Sequence, residues 1–191
     1  MPPSLDTIIE SLVRHHGRVD IDDLAARVRC RTPRLGATHL VAIDGPGGAG
    51  KSTLAARLAV ACHAQILHTD DFASWENPFN WWSRLDEQVL GPIAADQVGR
   101  YQRYDWNRRA LAEWHTVAPG GVLILEGVSS ARAAARGRLS LSVWVETPRH
   151  IRLARGLARD CSEAEKLWEQ WRMTKTLISL VTVRVSTPMS L

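Results

Sequence analysis

Short apolar runs alternate with helix-forming stretches from residue 38 onward. The run at residues 121–125 is almost wholly apolar, which is typical of a strand covered on both faces of a sheet. Residues 51–62 are rich in Ala and Leu and are predicted to form a helix. This alternation predicts an α/β fold with a mostly parallel sheet and helices on both faces. The predicted strands cover residues 39–43, 65–68, 121–125 and 139–145.

A different pattern precedes this region. Ser4 is a candidate N-cap for a helix that ends at Gly17, and residues 21–29 form a second, shorter helical pattern. We expect residues 1–37 to be a helical N-terminal extension that packs against the main domain. Two helices could instead read DNA, but residues 31–38 leave little room for a third helix before the first strand.

The middle of the chain, residues 72–119, is longer than a simple connection and rich in Trp. A substrate-binding insertion would lie in this segment. Helical patterns occur within it and again near the C-terminus. Helices are predicted over residues 84–98, 108–114, 148–160 and 163–173, and the β-branched content of residues 177–185 favours a last strand.

Length and composition narrow the class of protein. The chain has 191 residues, which suits one α/β domain with its own core. Its longest apolar runs, 122–125 and 177–181, are far too short to span a membrane, and residues 1–7 do not resemble a secretion signal. We therefore expect a cytoplasmic protein. The three cysteines have no metal-ligand spacing; they are Cys30, Cys62 and Cys161.

The charge is moderately basic, with a formal value of +4 and a pI near 9.3. Of the 24 basic residues, only Lys51, Lys166 and Lys175 are lysines. A compositional bias towards Arg explains the balance as well as nucleic-acid binding does, and an anionic small-molecule substrate fits it equally. A nucleic-acid partner is not expected. In a chain so poor in Lys, the position of Lys51 within a glycine-rich loop is notable.

The segment from Gly45 to Ser52 reads GPGGAGKS and fulfils the pattern GxxxxGK[ST] between a predicted strand and a predicted helix. In such a loop backbone N–H groups surround the β-phosphate of a nucleotide, the lysine bridges the β- and γ-phosphates, and the serine hydroxyl binds Mg²⁺. The alternative is a glycine-rich turn that binds nothing. The predicted nucleotide-binding residues are Gly45, Gly47, Gly48, Ala49, Gly50, Lys51, Ser52 and, at the α-phosphate, Thr53.

Two carboxylates follow predicted strands. Asp70 comes just after the second strand and Glu126 ends the third, so both are expected at the carboxyl edge of the sheet beside the glycine loop. Asp70 could accept the proton of an attacking hydroxyl, and Glu126 could hold Mg²⁺. The structural alternatives are a turn cap for Asp70 and Asp71, and an Arg partner for Glu126.

Arginines recur on one face of the predicted helix at residues 148–160. Arg152, Arg155 and Arg159 are spaced i, i+3 and i+7. Guanidinium groups on one helix face could close over a transferring phosphoryl group, as mobile lids do. A solvated helix face is the alternative.

These motifs occur in an order that resembles the uridine kinase family and its relatives among nucleoside, nicotinamide riboside and pantothenate kinases. The resemblance covers residues 38–172 and joins the glycine loop to four further motifs. They are Thr69-Asp70-Asp71-Phe72, Tyr104-Asp105-Trp106, Leu125-Glu126-Gly127 and Thr147-Pro148 followed by the spaced arginines Arg152, Arg155 and Arg159.

The resemblance implies a P-loop NTPase fold, with residues 38–191 as the kinase domain, 72–119 as its substrate-binding insertion and 148–160 as its lid. It implies that Asp70 is the general base, that Glu126 helps Asp70 and Ser52 hold Mg²⁺, and that Tyr104 lies near the acceptor. The residues expected to contact the acceptor are Asp70, Phe72, Trp82, Tyr104 and Glu126, and those expected to act in transfer are Asp70, Lys51, Arg155 and Arg159, with Arg152 on the nucleotide.

The chain departs from the family pattern at two places. Asn77-Pro78-Phe79-Asn80-Trp81-Trp82 stands where uridine kinases have a segment with a ribose-binding Asp, and no acidic residue follows Glu169. A pocket with four indole walls could stack a planar acceptor, although these residues could also be core. The four are Trp75, Trp81, Trp82 and Trp106.

The expected activity is therefore transfer of the γ-phosphoryl group of ATP, with Mg²⁺, to a hydroxyl group of a nucleoside-like or vitamin-like small molecule. Phosphorylation of another hydroxyl compound, such as an antibiotic or a sugar acid, is one alternative. A nucleotide-binding regulator without phosphotransfer is the other.

Overall fold

The computed structural model describes residues 19–78 and 80–160. The helices predicted at residues 4–17 and 163–173 and the strand predicted at 177–185 lie outside the described residues. The strands are β1 (His39–Asp44), β2 (Gln65–His68), β3 (Gly99–Asp105), β4 (Ala110–Val117), β5 (Val122–Glu126) and β6 (Leu139–Trp144). The helices are α1 (Ile21–Arg29), α2 (Lys51–Cys62), α3 (Trp82–Leu85), α4 (Gly91–Ala94) and α5 (Arg149–Asp160).

Four strands form a parallel sheet in the order β2-β5-β1-β6. The two central strands, β5 and β1, are nearly continuous apolar runs because helices or loops cover both of their faces. The α/β fold, the parallel sheet and all four of its strands are confirmed. Since the strands are parallel, their carboxyl ends meet at one edge, which is where a ligand site is expected.

Alternate residues of the central strands enter two separate cores. Val41 and Ile43 of β1 face a cluster that includes α1 and α2, whereas Leu40 faces the opposite cluster beside α3 and the β3–β4 hairpin. Leu123 on β5 is fully buried in this second cluster. Truncating such a residue to Ala lowers the free energy of unfolding by about 2–5 kcal/mol. Burial of side chains on both faces therefore fixes the position of the sheet between the two cores.

The predicted helix at residues 21–29 is confirmed as α1. Asp20 caps it by accepting hydrogen bonds from the backbone N–H groups of Asp22 (2.9 Å) and Asp23 (3.2 Å). Its apolar residues Leu24 and Val28 are buried in the same cluster as α2. The helix therefore packs on the sheet domain, as expected of the extension.

The helix predicted at residues 84–98 is shorter and less regular than predicted. Between α3 and α4 the chain makes a π-helical segment, Asp86–Leu90, and helical structure ends at Ala94. Pro92 lies just after this segment, and because a proline has no N–H and clashes with the preceding turn, a local π adjustment accommodates it.

None of the described helices is long and apolar enough to cross a membrane.

The helix predicted at residues 108–114 is wrong, because these residues form part of an antiparallel β3–β4 hairpin. Asp105 starts its turn by accepting from the N–H groups of Asn107 and Arg108, both at 3.0 Å. Arg109 has a φ of +52°, a left-handed conformation that reverses the chain. Cross-strand pairing and packing against the sheet domain outweigh the helix propensity of this segment.

Candidate phosphate and acceptor site

The glycine loop joins β1 to the N-terminus of α2. Gly48 and Gly50 have φ values of +74° and +98°, which glycine adopts without strain. A Cβ atom on Gly48 would lie 2.6 Å from the Arg152 backbone oxygen, so only glycine fits against α5 here. Gly50 is the N-cap of α2 and no side chain caps this end, which suits a phosphate ligand.

The side chains that follow the loop lie in the first turn of α2. Lys51 is 8% exposed, and its Nζ donates to the Pro46 backbone oxygen at 3.0 Å. Ser52 and Thr53 are exposed at the same helix end. The lysine thus folds back against the loop, while the two hydroxyl groups face solvent near it.

Asp44, the last residue of β1, is a site residue that the sequence reasoning missed. It is 5% exposed, and its Oδ1 accepts from the N–H groups of Gly45 (2.7 Å) and Ser129 (2.9 Å). Its Oδ2 accepts from the N–H of Ala131 at 3.0 Å. Burial raises the pKa of Asp44, against the opposing effect of these N–H donors. The carboxylate therefore joins the glycine loop to the loop after β5. The sequence signal that could have identified Asp44 is an acidic residue at the end of an apolar strand.

Asp70 and Glu126 lie at the same edge of the sheet, as predicted. The strands that carry them are neighbours, with His68 paired to Glu126 in the parallel register. Asp70 is exposed in a 3₁₀ turn, Thr69–Asp71, whereas Glu126 is 6% exposed. A Cβ atom on Gly127, whose φ is +142°, would overlap the Thr69 hydroxyl. The two carboxylate-bearing loops therefore pack directly on each other.

Glu126 has a histidine partner. Its Oε2 lies 2.8 Å from Nδ1 of His68, whose side chain is about half exposed. The hydrogen bond to Glu126 raises the pKa of His68, which favours an ion pair. The alternative expected from the sequence was an Arg partner, and a His occupies that position instead.

Asp71, the neighbour of the predicted base, has a structural role. Its Oδ2 accepts from the hydroxyl of Tyr101 on β3 at 3.0 Å, and burial raises its pKa. Phe72 is buried in the core, with its ring 4.7 Å from that of Tyr101. Its expected contact with an acceptor stays a prediction.

The four predicted indole walls form two ring pairs. Trp75 lies edge-on to Trp106 at 5.6 Å, and Tyr104 lies edge-on to Trp106 at 5.2 Å. The Trp106 indole N–H donates to the Asp70 backbone oxygen at 3.0 Å, so this pair adjoins the predicted base. The Tyr104 hydroxyl lies 3.5 Å from Oε2 of Glu76.

The second pair is Trp81 and Trp82, at the start of α3, with ring centroids 6.0 Å apart. Trp81 is 4% exposed and belongs to the core, which is the structural alternative for this residue. Trp82 is only partly buried. The Arg132 guanidinium lies 4.8 Å from the Trp81 ring and 6.0 Å from the Trp82 ring. Sequence reasoning did not identify Arg132, which the fold brings from the loop after β5.

Helix α5 lies against the glycine loop. The Thr147 hydroxyl donates to the Ala49 backbone oxygen at 2.9 Å, and Nη1 of Arg155 donates to the Gly48 backbone oxygen at 3.4 Å. Nε of Arg152 donates to the Thr147 backbone oxygen at 2.8 Å. Two predicted lid arginines are thus next to the loop. Arg159 is in the last turn of α5, outside the described side chains.

The residues at this edge fit a nucleotide phosphate and Mg²⁺. The loop backbone is held in conformations that only glycine adopts easily, and the ammonium of Lys51 is buried against it. Ser52, Asp70 and Glu126 offer the oxygen donors that Mg²⁺ prefers. Within the described residues no three His, Cys, Asp or Glu side chains cluster, and Mg²⁺ sites in kinases usually combine one or two carboxylates with phosphate oxygens.

No family model and no curated protein matches the chain. Many solved structures are similar to the chain, among them the following two. A possible uridine kinase from Bacillus stearothermophilus is 18% identical, with a TM-score of 0.57 over 76% of this chain and 93% of that one. A kinase assigned to a fructose transport system of Silicibacter sp. TM1040 is 25% identical, with a TM-score of 0.58 over 74% of this chain and 82% of that one.

These likenesses, together with the glycine loop at the edge of a parallel sheet, define an α/β protein with the P-loop NTPase fold. Within that class, the fold is similar to that of a possible uridine kinase and of a kinase assigned to a fructose transport system. The resemblance inferred from the motifs is confirmed at the level of the fold.

Proposed function

We propose that the protein transfers the γ-phosphoryl group of ATP to a hydroxyl group of a small, nucleoside-like acceptor. One observation carries the proposal: the glycine loop, Asp70 and Glu126 share one edge of the sheet, with α5 and its arginines against the loop. A binding protein that does not transfer phosphate needs no exposed carboxylate facing the acceptor side of this loop. The similarity of the fold to two proteins named as kinases supports the same conclusion.

The residues have distinct roles in this reaction. Asp70 accepts the proton of the acceptor hydroxyl as the oxygen forms its bond to the γ-phosphorus and the bond from that phosphorus to the bridging oxygen of ADP breaks. Lys51 and the loop N–H groups bind the phosphates, and Arg155, with Arg152 and Arg159 on the same helix, neutralises their charge. Ser52, Glu126 and Asp70 would hold Mg²⁺, which neutralises phosphate charge when bound.

Residues 72–119 are proposed to bind the acceptor and residues 148–160 to act as a lid. The ring pair of Trp75 and Trp106 offers an aromatic wall beside Asp70, and the buried Tyr104 ring packs edge-on against Trp106. Such faces stack on planar or ring-shaped molecules, which supports a nucleoside-like acceptor.

A second candidate is a kinase for a non-nucleoside hydroxyl compound such as a sugar, a vitamin or an antibiotic. The observation that favours it lies in the segment that replaces the ribose-binding segment of uridine kinases. Asn77 uses its side chain on Asn80: Oδ1 accepts from the Asn80 N–H at 2.9 Å and Nδ2 donates to the Asn80 oxygen at 3.1 Å. The side chain thus closes a local turn, and no carboxylate occupies its place.

The test is production of ADP from Mg·ATP with a panel of acceptors: uridine, cytidine, nicotinamide riboside, pantothenate, D-fructose and D-gluconate. We expect one class to stimulate turnover and Asp70→Asn to lower the stimulated kcat by about 100- to 10,000-fold while leaving a measurable rate, since the base is lost. Glu113→Gln, which changes an exposed carboxylate on the outer strand of the hairpin, is the control and should retain activity. ATP binding without stimulation by any acceptor would refute phosphotransfer and favour a nucleotide-binding regulator.

A further inference from the structure

The loop that carries Asp70 is anchored through its backbone oxygens. Within the loop, the N–H groups of Phe72 and Ala73 both point back to the Thr69 oxygen. The next three oxygens in the chain receive donors from other elements instead. Trp106 donates to the oxygen of Asp70, and Arg84 donates to those of Asp71 and Phe72.

Arg84, on α3, provides most of this anchoring. Its Nη1 lies 3.3 Å from the Asp71 oxygen and 3.4 Å from the Phe72 oxygen, and its Nη2 donates to the Gln102 oxygen on β3. The guanidinium carbon also lies 5.4 Å from the centre of the Phe72 ring. One planar group therefore joins three elements: α3, the Asp70 loop and the hairpin.

The chemistry of this contact requires Arg. A guanidinium presents five N–H donors in a fixed plane, so it can donate to two strands of backbone at once while one face stacks on a ring. A lysine ammonium is a compact charge that cannot span the same acceptors. Partial burial lowers the pKa of Arg84, while the nearby Asp71 opposes this shift. The partly buried guanidinium is held by backbone oxygens of the Asp70 loop and of β3.

We propose that Arg84 is a positioning residue that sets the Asp70 carboxylate against the acceptor hydroxyl. This inference rests on the proposed function, because it assumes that Asp70 is the base. Arg84 donates to the backbone oxygens of the two residues after Asp70, and Trp106 donates to the backbone oxygen of Asp70 itself. Since β3 is part of the same contact, we expect the hairpin and the loop that carries Asp70 (residues 69–73, the base loop) to move as one unit.

Arg84→Met removes the donors and keeps an unbranched side chain of similar reach. Misplacement of a reacting group by about 1 Å costs on the order of 100-fold in rate, so we expect kcat for the acceptor to fall by about 10- to 100-fold. The KM for ATP should change little, because Arg84 does not contact the glycine loop in its described hydrogen bonds. Acceptor-independent ATP hydrolysis should also be unchanged.

The matched control is Arg100→Met. Arg100 lies on the same hairpin, but its exposed guanidinium is 4.9 Å from the exposed Trp114 ring, and none of its described side-chain contacts is with the loop that carries Asp70. Hydrogen–deuterium exchange of residues 69–73 should accelerate in Arg84→Met and stay unchanged in Arg100→Met. This measurement needs no acceptor. If Arg84→Met does not fold, Arg84→Lys replaces it, with a smaller but parallel loss of kcat.

A double-mutant cycle separates positioning from a general structural role. If Arg84 acts through Asp70, then Arg84→Met added to Asp70→Asn causes no further loss of kcat. Losses that multiply, an unchanged kcat, or unchanged exchange at residues 69–73 would overturn the inference. If Asp70→Asn keeps full turnover, the assignment of the base fails and the inference with it. If exchange accelerates but no acceptor is phosphorylated, the anchor exists while the proposed function fails.

Discussion

Asp44→Asn tests whether the carboxylate at the end of β1 anchors the glycine loop. In the native protein, Oδ1 accepts from the N–H groups of Gly45 and Ser129, and Oδ2 accepts from that of Ala131. An Asn side chain replaces one oxygen with an NH₂ group, which donates and does not accept. In either orientation of the amide, the NH₂ group faces at least one of these N–H donors, and that donor is left without an acceptor.

The expected cost follows from two opposing effects. A buried donor left without an acceptor costs about 1–3 kcal/mol. Removal of the negative charge recovers part of the desolvation penalty that raises the Asp44 pKa. We therefore expect Asp44→Asn to lower the free energy of unfolding by about 2 kcal/mol. For a chain of this length, that lowers the melting temperature by roughly 4–8 °C.

Urea unfolding followed by circular dichroism measures this change directly. Asp23→Asn is a suitable control because Asp23 is an exposed carboxylate paired with Arg27 at 2.8 Å. Its effect should stay within about 0.5 kcal/mol. A midpoint for Asp44→Asn equal to that of the control, at equal slope, would refute the view that Asp44 holds the two loops together.

Three further results are expected. Gly48→Ala places a Cβ atom 2.6 Å from a backbone oxygen of α5 at a φ of +74°, so ATP affinity measured by calorimetry should fall at least about 10-fold; Gly120→Ala, at a φ of +84° with open space around it, is the control and should bind ATP normally. The raised pKa of His68 means that its ion pair with Glu126 stabilises the fold fully below the unfolded pKa of about 6.5 and is lost as pH rises through the folded pKa. The His68→Gln variant should thus lose more stability at about pH 6 than at about pH 9, and an equal loss would contradict the pair. Arg155→Met should lower kcat/KM for ATP by about 10-fold in steady-state kinetics, and an unchanged value would remove this residue from the lid.

The sheet could be predicted from the sequence because burial on both faces leaves a simple record. Strands β1 and β5 are nearly continuous apolar runs, and the glycine loop marked the end of one of them. Asp70 and Glu126 could be placed at the same edge, since parallel strands bring their carboxyl ends together. Local pattern and global fold agree at these positions.

The hairpin could not be predicted in the same way. Its second strand contains Ala, Leu and Glu, which favour helix, and the strand is stabilised by pairing with β3 and not by its own propensity. Local spacing carries no information about such pairing. The same limit explains why Arg84 and Arg132 were missed: each gains its role from contacts with residues distant in the chain.

The hairpin also links the two features that are hardest to obtain from sequence, the proposed acceptor wall and the anchor of the proposed base. Trp106 contributes a ring to the wall and donates its indole N–H to the Asp70 oxygen. An acceptor that stacks on the Trp106 ring therefore contacts the same residue that helps to hold the backbone of the Asp70 loop. Arg84 joins the opposite end of the base loop to β3. We therefore expect the choice of acceptor and the placement of the proposed base to depend on one structural unit, and substitutions of Trp106, where the hairpin meets the Asp70 loop, should alter both kcat and acceptor selectivity while leaving ATP binding to the loop intact.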